Sequence, residues 1–212
     1  MSSYINIHTH YGEKKAIVNK YPFDPIDSHP FSIGLHPLFF DRPECQIIEI
    51  ERKAALFNCY AIGESGYDSR SEFNKEDQDI YFKKQLAIAK KHEKPVIVHC
   101  VKSHHILLKT LLATDKLPAI ILHGFNQKET IYNTLKPHCY FSFGKALLYK
   151  NSNAQKTIKQ IALDKIFLET DDSTEITIEE IYLKASKLLN LPLEKLILQI
   201  HNNFKNVFHA EL

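Results

Sequence analysis

The sequence predicts an α/β fold of the TIM-type (β/α) barrel class, and three observations support this. Strand-like and helix-like patterns alternate along the whole chain. Most strand-like runs are continuously apolar, as in a parallel sheet covered by helices. Residues of metal-binding type directly follow several of these runs, and the carboxyl ends of barrel strands share one rim. The 212 residues suit a single domain, residues 1–212, although full barrels usually have about 250.

Seven candidate strands are short apolar runs bounded by polar or turn-forming residues. They are residues 4–8, 31–35, 59–63, 95–99, 119–123, 139–143 and 165–169. An eighth strand is not evident, so we expect a barrel that is distorted or short of eight full strands. Residues 12–30 are polar and contain prolines, which predicts a loop wrapping the rim that carries the ligands.

Seven helices are predicted between and after these strands. They cover residues 44–57, 75–92, 104–113, 128–135, 153–161, 177–189 and 193–202. The clearest is the second, where Ile80, Leu86 and Ala89 stand among lysines and acids. Pro192 falls near the start of the last helix, where proline is tolerated.

Composition indicates an ordinary soluble protein. Hydrophobic residues make up 44% of the chain and charged residues 25%, and the net charge of +2 is too small to indicate nucleic-acid binding by itself. No run approaches the roughly 20 apolar residues of a membrane span. The four cysteines lie far apart, which favours reduced thiols. We therefore expect a cytoplasmic protein with no membrane contact and no obligate protein partner.

Six residues able to bind a divalent metal follow the predicted strands. They are His8, His10, Glu64, His99, His123 and Asp171. His8 and His10 point to the same side because strand side chains repeat every two residues. Imidazole and carboxylate ligands suit Zn or Mn, and carboxylates also bind Mg. A single ion would use three or four of these groups, whereas six with one bridging carboxylate suit two ions. The alternative is that these side chains satisfy local hydrogen bonds, but six such groups on five strands disfavour it.

Several motifs in this order resemble one known family. The matching strings are His8-Thr9-His10, Gly34-Leu35-His36-Pro37, Gly63-Glu64-Ser65-Gly66-Tyr67-Asp68, Pro95-Val96-Ile97-Val98-His99, His123-Gly124-Phe125 and Leu168-Glu169-Thr170-Asp171. Together they resemble the TatD family of metal-dependent deoxyribonucleases, which belongs to the amidohydrolase-like barrels. The resemblance extends over roughly the whole chain.

The resemblance implies roles for individual residues. One ion would be held by His8, His10, Glu64 and Asp171, and a second by Glu64, His99 and His123. Glu64 would bridge the two ions, and Asp171 would also act as general base on the attacking water, so these two residues are the catalytic candidates. His36 would lie at the pocket rim and touch a substrate phosphate. Lys102, which follows a strand end, is the second candidate for substrate binding.

Three positions depart from the family pattern. Asn6 stands where aspartate is usual, which removes a charge near the first two ligands. Asp172 and Ser173 follow Asp171 in place of alanine-proline and a long basic loop. Val101 and Lys102 occupy the region where the family often has arginine. These departures imply weaker nucleic-acid binding or a smaller substrate.

Three functions remain open from the sequence. The first is a divalent-metal hydrolase of the TatD type, which cleaves phosphodiester bonds of DNA or oligonucleotides by metal-activated water. The second is hydrolysis of an amide or ester in a small molecule, since the same barrel and ligands also suit attack on a carbonyl carbon. The third is a non-catalytic metal-binding barrel, which the presence of all six ligands disfavours.

Overall fold

Residues 4–212, the part of the chain that this computed structural model describes, form eight strands and seven α-helices, which alternate from the third strand to the sixth helix. The strands are β1 Asn6–Thr9, β2 Ala16–Lys20, β3 Phe31–Ile33, β4 Cys59–Asp68, β5 Val96–Val101, β6 Ile120–Leu122, β7 Tyr140–Phe143 and β8 Ile166–Leu168. The helices are α1 Pro43–Ala54, α2 Lys75–Lys91, α3 His104–Leu112, α4 Glu129–Leu135, α5 Asn153–Thr157, α6 Ile178–Leu189 and α7 Leu193–Phe208. Among these residues, no helix has the length and apolar composition needed to cross a bilayer.

The predicted alternation of strands and helices is confirmed, and one element was missed. β2 (Ala16–Lys20) lies inside the segment predicted to be a loop, so the prediction for residues 12–30 was wrong there. Its apolar part, Ala16 to Val18, is only three residues long and lies between Lys15 and Asn19, but it is buried and pairs in parallel with β1. The described residues therefore form eight strands, where seven were evident from the sequence.

The chain divides into two compact units. The first, the terminal unit, contains the chain up to Val18 together with His123–Leu212. Here β1 pairs with β2 and β7 with β8, all in parallel, and a bridge between Thr9 and Asp171 links β1 to the residues after β8. The buried hydroxyl of Tyr182 on α6 donates a hydrogen bond to Ile5 O (2.9 Å) and accepts one from Ile5 N (3.1 Å). These bonds fix the helix against the entry to β1.

The second, the central unit, is Asn19–Leu122, and its strands β3, β4, β5 and β6 are parallel neighbours in chain order. Apolar side chains such as Ile33, Ile62 and Val98 are fully buried on these strands, and α1 and α2 pack on β4. β4 lies so close to β5 that a Cβ at Gly66 would be 2.2 Å from His99 O, and Gly66 has a φ of +141°. Only glycine fits there, so this residue sets the approach of β4 to the end of β5.

Helix ends follow recognisable local signals. α6 begins with a capping box between Thr177 and Glu180, and it ends at Asn190, whose backbone is left-handed. α7 starts directly after Pro192 and continues to Phe208, six residues beyond its predicted end at 202, because Phe204, Val207 and Phe208 remain buried. α5 is shorter than predicted, since a 3₁₀ turn, Ile158–Gln160, completes that segment.

Candidate metal centre

Two imidazoles and one carboxylate converge in the terminal unit. His8 and His10 lie at the end of β1, and Asp171 lies just after β8. The Asp171 Oδ1 atom is 3.3 Å from His8 Nε2 and 3.6 Å from His10 Nε2. The backbone fixes this meeting, because Asp171 N donates to His8 O (3.0 Å) and His10 N donates to Asp171 O (3.1 Å).

The backbone of Asp171 is in the left-handed region, with a φ of 58°. This conformation is uncommon for a residue with a side chain, although aspartate tolerates it better than most. The two hydrogen bonds to β1 hold the residue there. Uncommon backbone conformations that are held in this way concentrate at functional sites. The carboxylate of Asp171 is therefore aimed by its own backbone.

His123 and Glu169 extend the same cluster. The His123 ring centroid is 4.7 Å from that of His8, and His123 Nδ1 is 3.4 Å from Glu169 Oε1. Glu169 is fully buried, and its Oε1 accepts a hydrogen bond from Gly124 N (2.6 Å). Two buried or half-buried carboxylates thus lie beside three imidazoles.

The geometry of the terminal unit fits a divalent ion. Ligand atoms lie about 3.4 Å apart when bonds of about 2.1 Å point to the corners of a tetrahedron. The separations of 3.3 and 3.6 Å between Asp171 Oδ1 and the two Nε2 atoms match this spacing. The ligand atoms of His123, Glu169 and Asp171 also lie within 4.8 Å of one another. Imidazole nitrogens and carboxylate oxygens are donors that suit Zn and Mn.

A second cluster lies in the central unit around Glu64. Its Oε1 is 2.6 Å from His99 Nδ1 and 3.2 Å from His36 Nε2. Glu64 is buried, with 4% of its surface exposed, and His36 is nearly as buried at 6%. The strand β4 supplies Glu64 and β5 supplies His99, and these strands are parallel neighbours. The central unit therefore also offers nitrogen and oxygen donors at one point.

The buried carboxylate of Asp68 contacts the His99 ring on the side away from Glu64, and no role was predicted for it from the sequence. Asp68 Oδ2 is 2.8 Å from His99 Nε2, and Arg70 donates to both oxygens of Asp68, with its Nη2 2.6 Å from Oδ2 and its Nε 2.9 Å from Oδ1. Burial alone would raise the pKa of the Asp68 carboxyl, but the hydrogen bonds from Arg70 and then from His99 outweigh it and hold that pKa well below its usual range. Asp68 therefore stays ionised.

Asn6, the departure from the family pattern, connects β1 to the residues after β8. Its Nδ2 donates to Thr170 Oγ1 (2.7 Å) and to a Glu13 carboxylate oxygen, and its Oδ1 accepts from Thr170 N (3.2 Å). An aspartate at this position would bring two carboxylates together. The neutral Asn6 amide instead donates a hydrogen bond to Glu13, and its bonds to Thr170 support the backbone next to Asp171.

The candidate substrate residues occupy different environments. His36 is buried against Glu64, and Lys102 is exposed with a left-handed backbone (φ 51°) after β5. Their role in substrate binding stays a prediction. In the terminal unit, Lys145 Nζ donates to Asp172 Oδ1 (2.7 Å), and this hydrogen bond raises the pKa of Lys145.

A cavity of about 210 Å³ opens beside Asp171 in the terminal unit. Its lining residues are Gly124, Asn126, Gly144, Lys145, Ala146, Tyr149, Glu169 and Asp171. The lining combines a cation, an amide and an aromatic ring with the carboxylates of the cluster. The cavity therefore offers a place for a small polar group within reach of Asp171.

Each unit brings its own predicted ligands together. The terminal unit gathers His8, His10, His123 and Asp171, and the central unit gathers Glu64 and His99. The sequence missed the contributions of Asp68 and Glu169. Asp68 had a detectable signal, because it follows Glu64 by four residues on β4 and so shares its face. Glu169 likewise precedes Asp171 by two residues.

Parallel strands that alternate with helices and carry histidines and carboxylates at their ends define a metal-dependent hydrolase of the TIM-barrel class. A model of the TatD-related DNase family matches residues 13–209, so the chain belongs to this family and the resemblance noted in the sequence is confirmed. The predicted class, a metal-dependent hydrolase of the TatD type, is confirmed with it.

Individual proteins of known structure or sequence are also similar to this chain. The chain superposes on the crystal structure of YJJV, a TatD homolog from Escherichia coli, with a TM-score of 0.83 over 98% of both chains at 19% identity, which confirms the predicted barrel fold. It is 31% identical to an uncharacterised metal-dependent hydrolase of Bacillus subtilis over 66% of this chain and 57% of that protein. It is also 35% identical to a 3′-5′ ssDNA/RNA exonuclease TatD of Yersinia pseudotuberculosis, over 43% of this chain and 36% of that protein. The chain thus spans less than two thirds of the length of these two relatives.

Proposed function

We propose that the chain hydrolyses phosphodiester bonds of DNA or oligonucleotides with the help of bound divalent metal. The observation that carries this proposal is the convergence of His8 and His10 on one oxygen of Asp171 at 3.3 and 3.6 Å. Such spacing suits ligands of one ion better than direct hydrogen bonds. A relative named as an exonuclease on single-stranded DNA and RNA supports the choice of bond.

We further propose that the six predicted residues are the metal ligands and that two ions, Zn, Mg or Mn, are bound. Four of these residues gather in the terminal unit and two in the central unit. How the six divide between the ions, including the bridging role of Glu64, stays a prediction. A bound divalent ion supplies Lewis acidity, which lowers the pKa of water and stabilises negative charge on phosphate oxygens.

The protein's own groups supply orientation and proton transfer. In the terminal cluster the Asp171 side chain is 26% exposed and the His10 side chain is 25% exposed. A water from solvent therefore readily reaches both side chains. The Asp171 carboxylate is the group placed to accept the proton of the attacking water. Its backbone bonds to His8 and His10 hold it in place and limit the reorganisation needed during reaction.

The cavity beside Asp171 suits one end of a single strand. Lys145 brings a positive charge for a phosphate, and the Tyr149 ring, 58% exposed, offers a face on which a base stacks. Asn126 adds an amide that is able to bond a sugar or base edge. Contacts of this kind do not depend on the nucleotide sequence. They suit an enzyme that recognises the phosphate backbone and the stacked face of a base more than base identity.

A small-molecule amide or ester hydrolase is the second candidate. The net charge of +2 gives little general attraction to a polyanion, which favours a small substrate. The same metal ligands would serve attack on a carbonyl carbon. Substrate choice therefore separates the two candidates.

We expect single-stranded DNA labelled at its 5′ or 3′ end to give a ladder of shortened products when Mg, Mn or Zn is added to chelator-stripped protein. The same preparation is assayed in parallel on chromogenic phosphodiesters, carboxylic esters and amides. Protein carrying Asp164→Asn, an exposed aspartate away from the cluster, serves as the control and should behave as the wild type. Cleavage of esters or amides with intact DNA would favour the second candidate and contradict the nuclease proposal.

A further inference from the structure

The His99 ring is held between two carboxylates in the central unit. Its Nδ1 is 2.6 Å from Glu64 Oε1, and its Nε2 is 2.8 Å from Asp68 Oδ2. An imidazole binds metal only through a nitrogen that carries no proton, so the identity of the protonated nitrogen decides whether His99 can act as a ligand. A carboxylate that holds a proton on Nε2 leaves Nδ1 as the nitrogen through which a metal would bind.

We propose that Asp68, held by Arg70, is a positioning residue that keeps the proton of His99 on Nε2 and thereby presents Nδ1 to the metal. This proposal rests on the function proposed above. Asp68 is fully buried, and as an ionised carboxylate it accepts hydrogen bonds and donates none. The nitrogen facing it must therefore carry a proton, and Nδ1, which faces Glu64, is the nitrogen left for a metal. Carboxylates behind metal-binding histidines commonly have this effect.

Arg70 makes the arrangement directional. Its Nη2 bonds Asp68 Oδ2 at 2.6 Å, while its Nε and backbone N bond Oδ1 at 2.9 and 2.8 Å. Both oxygens of Asp68 are thus committed as acceptors from a planar guanidinium. The carboxylate cannot rotate away from His99 without breaking these bonds. The Asp68 and Arg70 pair is therefore a rigid support for one orientation of the ring.

The neighbouring His36 faces Glu64 with its Nε2 atom, whereas His99 faces it with Nδ1. Leu38 N donates to His36 Nδ1 (3.1 Å), so that nitrogen is the acceptor and the proton lies on Nε2. This Nε2 faces Glu64 Oε1 at 3.2 Å and donates to it. His36 therefore orients Glu64 by a hydrogen bond, whereas His99 Nδ1 and Glu64 Oε1 would together hold a metal ion. The two histidines have different roles although both contact the same oxygen.

Replacing Asp68 by asparagine tests the proposal. The amide keeps one oxygen for Arg70 N and Nε, and its NH₂ group replaces Oδ2, so that it loses the bond from Arg70 Nη2 and faces His99 Nε2. Nε2 then accepts a hydrogen bond, and the proton moves to Nδ1, the nitrogen that should bind metal. We expect two-bond ¹H–¹⁵N spectra to show Nε2 of His99 protonated in the wild type and unprotonated in Asp68→Asn. The signals are assigned by their loss in His99→Asn.

The affinity for Zn, measured by calorimetry, should fall about 10- to 100-fold in Asp68→Asn. Asp79→Asn is the matched control, because Asp79 is a partly buried aspartate of the same unit that bonds Tyr67 and Lys83 and does not contact His99. It should change neither the spectrum of His99 nor the affinity for Zn. If Asp68→Asn fails to fold, Arg70→Lys carries the test, with a smaller loss of affinity, because the Arg70 side chain is 59% exposed.

Two results would overturn the proposal. One is a wild-type His99 without a proton on Nε2, and the other is an unchanged affinity for Zn in a folded Asp68→Asn or Arg70→Lys variant. The spectrum of the metal-free wild type tests the position of the proton even if no metal binds. Failure of the proposed function would instead appear as a wild type with a protonated Nε2 and no Zn binding. In that case Asp68 would still fix the proton on Nε2, but it would not present His99 to a metal.

Discussion

Replacing Asp171 by asparagine is expected to lower kcat for phosphodiester cleavage by about 10²- to 10⁴-fold, the usual contribution of a general base. Asparagine keeps an oxygen close to His8 Nε2 and His10 Nε2 and keeps the backbone bonds to β1, so the cluster should still assemble. It cannot accept a proton. The measurement is the single-turnover cleavage rate with saturating Mn, together with the bound metal in the same sample.

One control variant and one further measurement make this result interpretable. Asp164→Asn controls for removing one negative charge from the terminal unit, and it should cleave at the wild-type rate. Thermal unfolding of both variants reports whether the fold is intact. A folded Asp171→Asn that binds metal and cleaves at the wild-type rate would show that another group accepts the proton.

Replacing Glu64 by glutamine should weaken metal binding by at least about 100-fold, since even residues behind a ligand commonly contribute 10- to 100-fold. The buried carboxylate is 2.6 Å from His99 Nδ1, and its charge is the main electrostatic attraction for a cation in the central cluster. Glutamine preserves the volume and an oxygen for His36, but it removes that charge. Calorimetric titration with Zn and Mn measures the change.

The control for this variant is Glu72→Gln, an exposed glutamate of the same unit. Its titration curve should overlay that of the wild type. Cleavage by Glu64→Gln should be lost at low metal concentration and partly restored at high concentration, because the defect lies in binding. An unchanged affinity in folded Glu64→Gln protein would exclude Glu64 as a ligand.

Much of the fold could be predicted because its strands are buried on both faces. Continuous apolar runs such as Val96 to Val98 identify such strands directly, and the spacing of Leu86 and Ala89 identifies a helix. β2 escaped detection because Ala16, Ile17 and Val18 are too few to stand out between polar residues. The burial that makes them a strand comes from tertiary pairing with β1, which no local pattern records.

The candidate site was predictable in its residue types but less so in its connections. His8, His10 and Asp171 follow predicted strands, and the structure brings them together. The supporting roles of Asp68 and Glu169 depend on which atoms face each other across neighbouring strands. Such pairing follows from register and from glycines such as Gly66, which let the strands approach closely. A sequence read without its register cannot supply these distances.

These histidines and carboxylates are proposed to bind divalent metal. The most direct test is to strip the protein with chelator, dialyse it to equilibrium against Zn, and count the bound metal by elemental analysis. A double variant, His8→Asn with His10→Asn, is measured alongside. We expect two Zn per chain in the wild type and a loss of at least one in the double variant. No stoichiometric Zn in folded wild-type protein, with Mn and Mg also unbound, would contradict the claim.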